Sequence, residues 1–164
     1  MNIRTAIITL SDKGAAGERQ DQSGNIIREM MDGIGASIVH YEILPDERLL
    51  IVETLTRLSD SDNIDLIITT GGTGVAPRDV TPDATREVID RELPGFAEAM
   101  RAESLRKTPH AMISRAVAGI RRQTLIVNLP GSPRAVRENL TVILPALSHA
   151  VEKIKGDPTE CGSS

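Results

Sequence analysis

The sequence predicts an α/β sandwich built on a mostly parallel sheet, and three observations lead there. Apolar β-rich runs alternate along the chain with stretches whose apolar residues recur at helical spacing. One run, Leu66-Ile67-Ile68, is continuously apolar, as a strand buried on both faces should be. Twice a strand end passes through glycine into a helix start, once after Thr70 and again at Leu129-Pro130-Gly131-Ser132-Pro133.

The elements follow in order. Ile3 to Leu10 is β-rich, and Ser11-Asp12-Lys13-Gly14 ends it with turn chemistry. A polar loop reaches Ser23, and a helix to Asp32 carries Ile26, Ile27 and Met30 on one side before Gly33 and Gly35 stop it. Ser37 to Leu44 is a second strand. Asp46 then suits the N-cap of a helix to about Ser59, whose stripe is Leu49, Leu50, Val52, Leu55 and Leu58. Ile64 to Thr70 is the third strand. In Thr81-Pro82-Asp83 the order of N-cap, first helical residue and first-turn acid predicts a helix from Pro82 to about Arg91. Phe96 to Leu105 forms another helix after Pro94-Gly95. Ala116–Ile120 and Thr124–Leu129 make a hairpin around Arg121-Arg122-Gln123, adding an antiparallel member to the sheet. The last helix runs from Pro133 to about Lys155, and residues 157–164 read as a tail beyond a single domain at 1–156.

Composition narrows the function. A chain of 164 residues with 40% hydrophobic and 26% charged residues suits one soluble domain with a sizeable core. No apolar run approaches the ~20 residues of a membrane span, and Arg4 interrupts anything like a signal peptide, so a cytoplasmic location without membrane contact is expected. The net charge of −4, without a basic face, argues against nucleic acid. Tyr41 and Phe96 are the only aromatics, so a bound ring would lie on aliphatic groups and backbone. Cys161 has no partner for a disulfide and reads as an inert thiol.

The chemistry concentrates in residues 69–85. Gly71, Gly72 and Gly74 let backbone N–H groups approach an anion, and the following helix start attracts the same charge. Asp79 and Asp83 would repel a bare phosphate, a conflict that a divalent metal carried by a nucleotide resolves. In a parallel sheet, the loops at Ser11-Asp12, Pro45-Asp46, Gly71–Asp83 and Pro130–Pro133 meet at one edge.

Five motifs now stand in order: SD at 11–12, LPDE at 44–47, TTGGTGVAPRDVTPDAT at 69–85, LPGF at 93–96 and NLPGSP at 128–133. Together they closely resemble the Mog-type molybdopterin adenylyltransferase family of molybdenum cofactor biosynthesis, which includes the G domain of gephyrin-like proteins. The resemblance spans about residues 3 to 155. It implies a three-layer α/β/α fold, a homotrimer, and transfer of AMP from ATP·Mg²⁺ to the phosphate of molybdopterin. The product passes to a molybdenum insertase. Carried over by position, Asp79 and Asp46 are the implied catalytic and magnesium-side carboxylates. Ser11, Asp12, Gly71, Gly72, Thr73, Gly74, Pro130, Gly131, Ser132 and Pro133 fall on motifs lining the nucleotide and pterin pocket. Ser114 and Arg115 match a family Ser-Arg pair, with Arg115 suited to a phosphate through its planar fork. A related MoaB-type branch, not all of it active in this step, keeps the glycine loop but tends to lack DVTPDAT, which this sequence has in full.

Plainer readings stand beside these. Asp46 and Ser132 could each act as an N-cap, and Asp79 as a turn cap or a partner for Arg78. Asp83 better suits a helix dipole than a substrate. His40, His110 and His149 lack zinc-ligand spacing, Arg121-Arg122 suits a solvated turn, and Met30-Met31 suits packing.

Overall fold

The computed structural model describes residues 2–158, and Cys161 and residues 159–164 of the expected tail lie outside them. Strands β1 (Arg4–Leu10), β2 (Ser37–Leu44), β3 (Leu66–Thr70), β4 (Arg91–Glu92), β5 (Ala118–Arg121) and β6 (Thr124–Leu129) form one sheet in the order β2-β1-β3-β6-β5-β4. β2, β1, β3 and β6 pair in parallel, while β5 is antiparallel to both neighbours. Helices α1 (Asp12–Ala15), α2 (Gln22–Asp32), α3 (Arg48–Ser59), α4 (Thr81–Val88), α5 (Pro94–Leu105) and α6 (Pro133–Ile154) complete the order, with a short 3₁₀ turn at Pro109–Ile113.

The period-2 geometry of a strand sends alternate side chains to opposite faces. Ile7, Leu66, Ile68, Leu125, Val127 and Leu129 therefore join Ile27 and Met31 of α2, Phe96 and Met100 of α5, and Leu140 and Leu147 of α6 in one core. Ala6, Ile8, Ile67 and Ile126 join Ile51, Leu55 and Leu58 of α3 and Ala84 and Val88 of α4 in the other. Two apolar cores on either side of one sheet are the expected three-layer sandwich, with Met31 buried and Met30 packed against the first core.

Several boundaries differ from the sequence reading. Ser11 caps a four-residue α1, accepting from Gly14 N–H at 3.0 Å, where only a turn was expected. Asp21, rather than a residue nearer Ser23, caps α2. α3 begins at Arg48 behind Glu47, so Asp46 is not its cap. Thr81 is already helical, and its hydroxyl donates to Gly71 O at 3.0 Å instead of capping α4. That helix stops at Val88, because Arg91 and Glu92 pair with Ile120 and Gly119 as an edge strand. β5 starts two residues later than expected, at Ala118. Arg122, at φ 51°, makes the hairpin turn, and Arg121 donates to Asp60 at 2.9 and 3.0 Å.

A buried ion cluster closes the sheet edge opposite the strand ends that bear the motifs. Asp65 is 1% exposed at its side chain and meets Arg4 at 2.7 Å and Lys155 at 2.5 Å, joining β1, the start of β3 and the end of α6. Burial alone would raise its pKa, but the hydrogen bonds from Arg4 and Lys155 outweigh burial and hold it at about 2. A carboxylate depressed from 3.8 adds stability that is present above that pH and lost as pH falls toward 2. The shift corresponds to about 2 kcal/mol. In urea titrations the parent should lose about that much between pH 4 and pH 2 from this group alone. Asp65→Asn should cost about 3 kcal/mol at pH 7, since two cations are left without their counter-charge, and should lack that acid decrement.

Candidate functional site: a cavity where the strand order reverses

The chain leaves β1 toward β2 on one side of the sheet and returns to β3 on the other, so the crevice beyond the carboxyl ends of β1 and β3 is a topological switch point. A cavity of about 610 Å³ opens there, and Ser11, Asp46, Gly71, Gly72, Asp79, Gly131, Ser132 and Pro133 line it together. Four of the five motif loops therefore converge as expected. The fifth does not: Leu93–Phe96 follows the edge strand β4, away from the cavity, and Phe96 and Leu93 are used in packing.

Backbone geometry explains the glycines. Gly71 has φ +99°, and a Cβ there would stand 2.3 Å from Leu10 O at the end of β1. Gly72 has φ +63°, and its Cβ would meet Thr81 Oγ1 at 2.5 Å and Asp46 Oδ1 at 2.9 Å. Both positions exclude a side chain by conformation and by space. The loop is thus drawn against the ends of β1 and α4, with Thr70 Oγ1 donating to Pro130 O at 2.7 Å to hold the β6 loop alongside.

Two helix N-termini face the same space. Ser132 caps α6 by accepting from Ala135 N–H at 3.2 Å, and Pro133 is the first helical residue. Ser132 therefore keeps its plain role while lining the cavity. Asp21 caps α2, and Gln22 and Ser23 of its first turn join the wall. Such ends carry partial positive charge and unspent N–H groups suited to an anion.

The carboxylates are arranged against that background. Asp79 Oδ2 accepts from Ala76 N–H at 2.9 Å, as the turn-cap reading expected, yet the residue also lines the cavity. Its partner is not Arg78. The Arg78 guanidinium reaches Asp12 instead, at 2.6 and 2.8 Å, and Glu47 at 3.2 Å. Asp12 and Asp46 exchange bonds reciprocally: Asp46 N–H donates to Asp12 Oδ1 at 3.0 Å, and Asp12 N–H donates to Asp46 Oδ2 at 3.2 Å. Asp46 Oδ1 is buried without a hydrogen-bond partner. Burial raises the Asp46 pKa, and the charges of Asp12 and Asp79 push the same way against Arg78 and the Asp12 N–H. Asp12 is shifted down by its bonds from Arg78.

Thr73, Gly74, Ser114 and Arg115 stand behind the wall rather than in it. Arg115 donates Nε to Gly74 O at 2.7 Å, an Nη2 hydrogen to Asp79 O, and a two-pronged pair to Asp83 at 3.1 and 3.0 Å. Its own N–H donates to Thr73 O at 2.9 Å. The fork expected for a phosphate is thus engaged in pinning the glycine loop to α4. Asp83, which this contact shifts down in pKa, serves that clamp as well as the helix start. Ser114 O accepts a long 3.4 Å bond from Arg101.

The wall also holds residues that the sequence reading missed. Asp21 accepts from Thr9 Oγ1 at 2.5 Å, from Tyr41 O–H at 2.6 Å and from Gly24 N–H at 2.9 Å. The Tyr41 hydroxyl is pushed up to about 12 by burial and by this acceptor. Asp21 three residues ahead of Gly24 is a cap signal readable in sequence, but its bonds to Thr9 and Tyr41 are not. Ser23 Oγ donates to Gly131 O at 2.7 Å, joining α2 to the β6 loop. Arg19 is the one cation in a wall that also holds Asp21, Asp46 and Asp79.

Comparison with known proteins places this geometry. A family model described as a probable molybdopterin binding domain matches residues 6–149. A Helicobacter pylori strain J99 protein named molybdopterin adenylyltransferase is 43% identical over 157 residues, covering 94% of this chain and 89% of that protein. Gephyrin of Dictyostelium discoideum is 45% identical over 163 residues, covering 93% of this chain but 22% of gephyrin. The crystal structure of the molybdopterin biosynthesis enzyme MoaB from Thermus thermophilus superposes with a TM-score of 0.89 at 52% identity, covering 96% of this chain and 99% of that one. These matches in sequence and fold extend over nearly the whole length, and the chain belongs to the molybdopterin-binding domain family of molybdenum cofactor biosynthesis.

Proposed function

We propose that this chain is a molybdopterin adenylyltransferase, joining AMP from ATP to the terminal phosphate of molybdopterin and releasing pyrophosphate. What carries the proposal is that Asp46 and Asp79 line one cavity with Gly71 and Gly72, with one buried carboxylate oxygen of Asp46 unsatisfied. In the reaction a molybdopterin phosphate oxygen bonds to the α-phosphorus of ATP, and the bond from that phosphorus to the β-bridging oxygen breaks. Such a transfer depends on alignment and charge neutralisation rather than on a protein nucleophile.

The wall residues divide that work. Backbone N–H groups of Gly72 and Gly131 and the first turns of α2 and α6 hold phosphate oxygens, while the Gly71 N–H is spent on Leu129 O at 3.2 Å. Leu10 and Pro133 offer the apolar contact that a nearly aromatic-free chain has for a ring. Asp46 and Asp79 would hold Mg²⁺ delivered with ATP, which supplies neutralisation of the triphosphate charge. The donor set fits, since both are hard oxygen ligands. Mg²⁺ characteristically takes one or two carboxylates and completes its octahedron with phosphate and water. Arg115 acts one layer back by fixing Gly74, Asp79 and Asp83.

The reading extends to a homotrimer in the cytoplasm whose product goes to a molybdenum insertase, with residues 1–156 as one domain. No helix among the described residues is long and apolar enough to cross a membrane. Purified protein given molybdopterin, ATP and Mg²⁺ should release one pyrophosphate per adenylyl-molybdopterin formed, and no pyrophosphate when Mg²⁺ is chelated. A second reading, a MoaB-like molybdopterin-binding protein without transferase activity, agrees with the family model's description as a probable molybdopterin binding domain. Binding of molybdopterin with no pyrophosphate under the same conditions would establish it.

A further inference from the structure

We propose that Arg78 is a positioning residue that fixes the Asp46 carboxylate through Asp12; this rests on the magnesium-side reading of Asp46. The chain of contacts is continuous. The Arg78 fork grips both oxygens of Asp12 at 2.6 and 2.8 Å, and the Asp12 carboxylate so held accepts from the Asp46 N–H at 3.0 Å. The Asp12 N–H donates to Asp46 Oδ2 at 3.2 Å, so fixing the one side chain fixes the backbone of both residues and with it the Asp46 carboxylate. One Asp46 oxygen is thereby occupied, and the other is left facing Gly72 without a partner. Arg78 also lies next to Asp79 in sequence and reaches Glu47, the neighbour of Asp46, at 3.2 Å. It therefore ties the two loops that bear the candidate ligands to α1.

The ion pair is not there for stability. Arg78 and Asp12 are 54% and 43% exposed at their side chains, and pairs that wet contribute little to folding. Its consequence is orientation: a planar fork on a carboxylate sets a direction that a single charge does not.

The test exploits opposite signs. If Arg78 were a bystander, deleting a nearby positive charge would tighten binding of a divalent cation. The positioning role demands weaker binding. Mn²⁺ titrated into protein plus a non-hydrolysable ATP analogue, with free Mn²⁺ followed by its paramagnetic resonance, should bind about tenfold more weakly to Arg78→Ala than to the parent, as loss of a ligand-orienting partner characteristically does. Arg78→Lys, with charge but no fork, should fall between. In an Asp12→Ala background, adding Arg78→Ala should change Mn²⁺ affinity less than about twofold, since the contact it acts through is gone. The Mg²⁺ concentration for half-maximal pyrophosphate release should rise in parallel, with the KM for molybdopterin unchanged and the melting transition close to the parent's. Equal or tighter Mn²⁺ binding by Arg78→Ala overturns the role of Arg78 alone. A parent that takes up no Mn²⁺ with the analogue overturns the metal reading of Asp46, and this role with it.

Discussion

Replacing Asp79 by alanine should lower pyrophosphate release by about 10² to 10³-fold, while molybdopterin binding stays near the parent level. The magnitude is that of removing one preorganised electrostatic contact from a charged transition state, about 3 to 4 kcal/mol. Asp79 has two separable attributes. Its Oδ2 closes a turn by accepting from Ala76 N–H at 2.9 Å, and its charge faces the cavity beside Asp46. Alanine removes both, so asparagine is the informative companion. Asp79→Asn keeps an oxygen for Ala76 N–H and hence the turn, but it loses the negative charge. A rate as low as the alanine variant's, measured by pyrophosphate release at saturating ATP and Mg²⁺, assigns the effect to charge. A parental rate in Asp79→Asn would reduce Asp79 to the turn cap that its position in the loop also allows.

What sequence reveals here depends on how far apart the interacting residues lie. Leu66-Ile67-Ile68 could be read as a central strand because burial on both faces is written into three consecutive residues, and all three are fully buried. Ser132-Pro133 could be read as a helix start because a cap and its N–H lie three residues apart. Asp46 was ambiguous for the same reason: a Pro-Asp-Glu sequence looks like a cap, and only the later start of α3 and the bonds to Asp12, 34 residues away, take it out of that role. Asp21 carries a local cap signal toward Gly24, but its place in the wall is not legible, because its partners Thr9 and Tyr41 lie 12 and 20 residues away on different strands. The Arg115 fork was legible as an anion binder in chemistry but not in partner, since Asp83 and the carbonyls of Gly74 and Asp79 meet it across 32 to 41 residues. The edge strand β4 has two residues, too few for any period to register.

Gly71→Ala should be the most damaging single-methyl change in the chain, costing about 4 kcal/mol or more in urea denaturation. Two penalties combine. An alanine at φ +99° occupies a conformation that L side chains rarely adopt, and its Cβ would lie 2.3 Å from Leu10 O. That oxygen is backbone of a central strand paired on both sides, so it cannot swing away as a side-chain tip would. The contrast is Gly95→Ala, in the first turn of α5, where a Cβ meets nothing within 4 Å. There the helical backbone suits alanine, and the variant should be neutral or more stable by up to about 1 kcal/mol. Gly72→Ala separates fold from site: at φ +63° it also strains, but its clash is with two side-chain oxygens, Thr81 Oγ1 and Asp46 Oδ1. It should therefore lose less stability than Gly71→Ala and proportionally more pyrophosphate release, because the group it displaces is the carboxylate that the cradle is built to face.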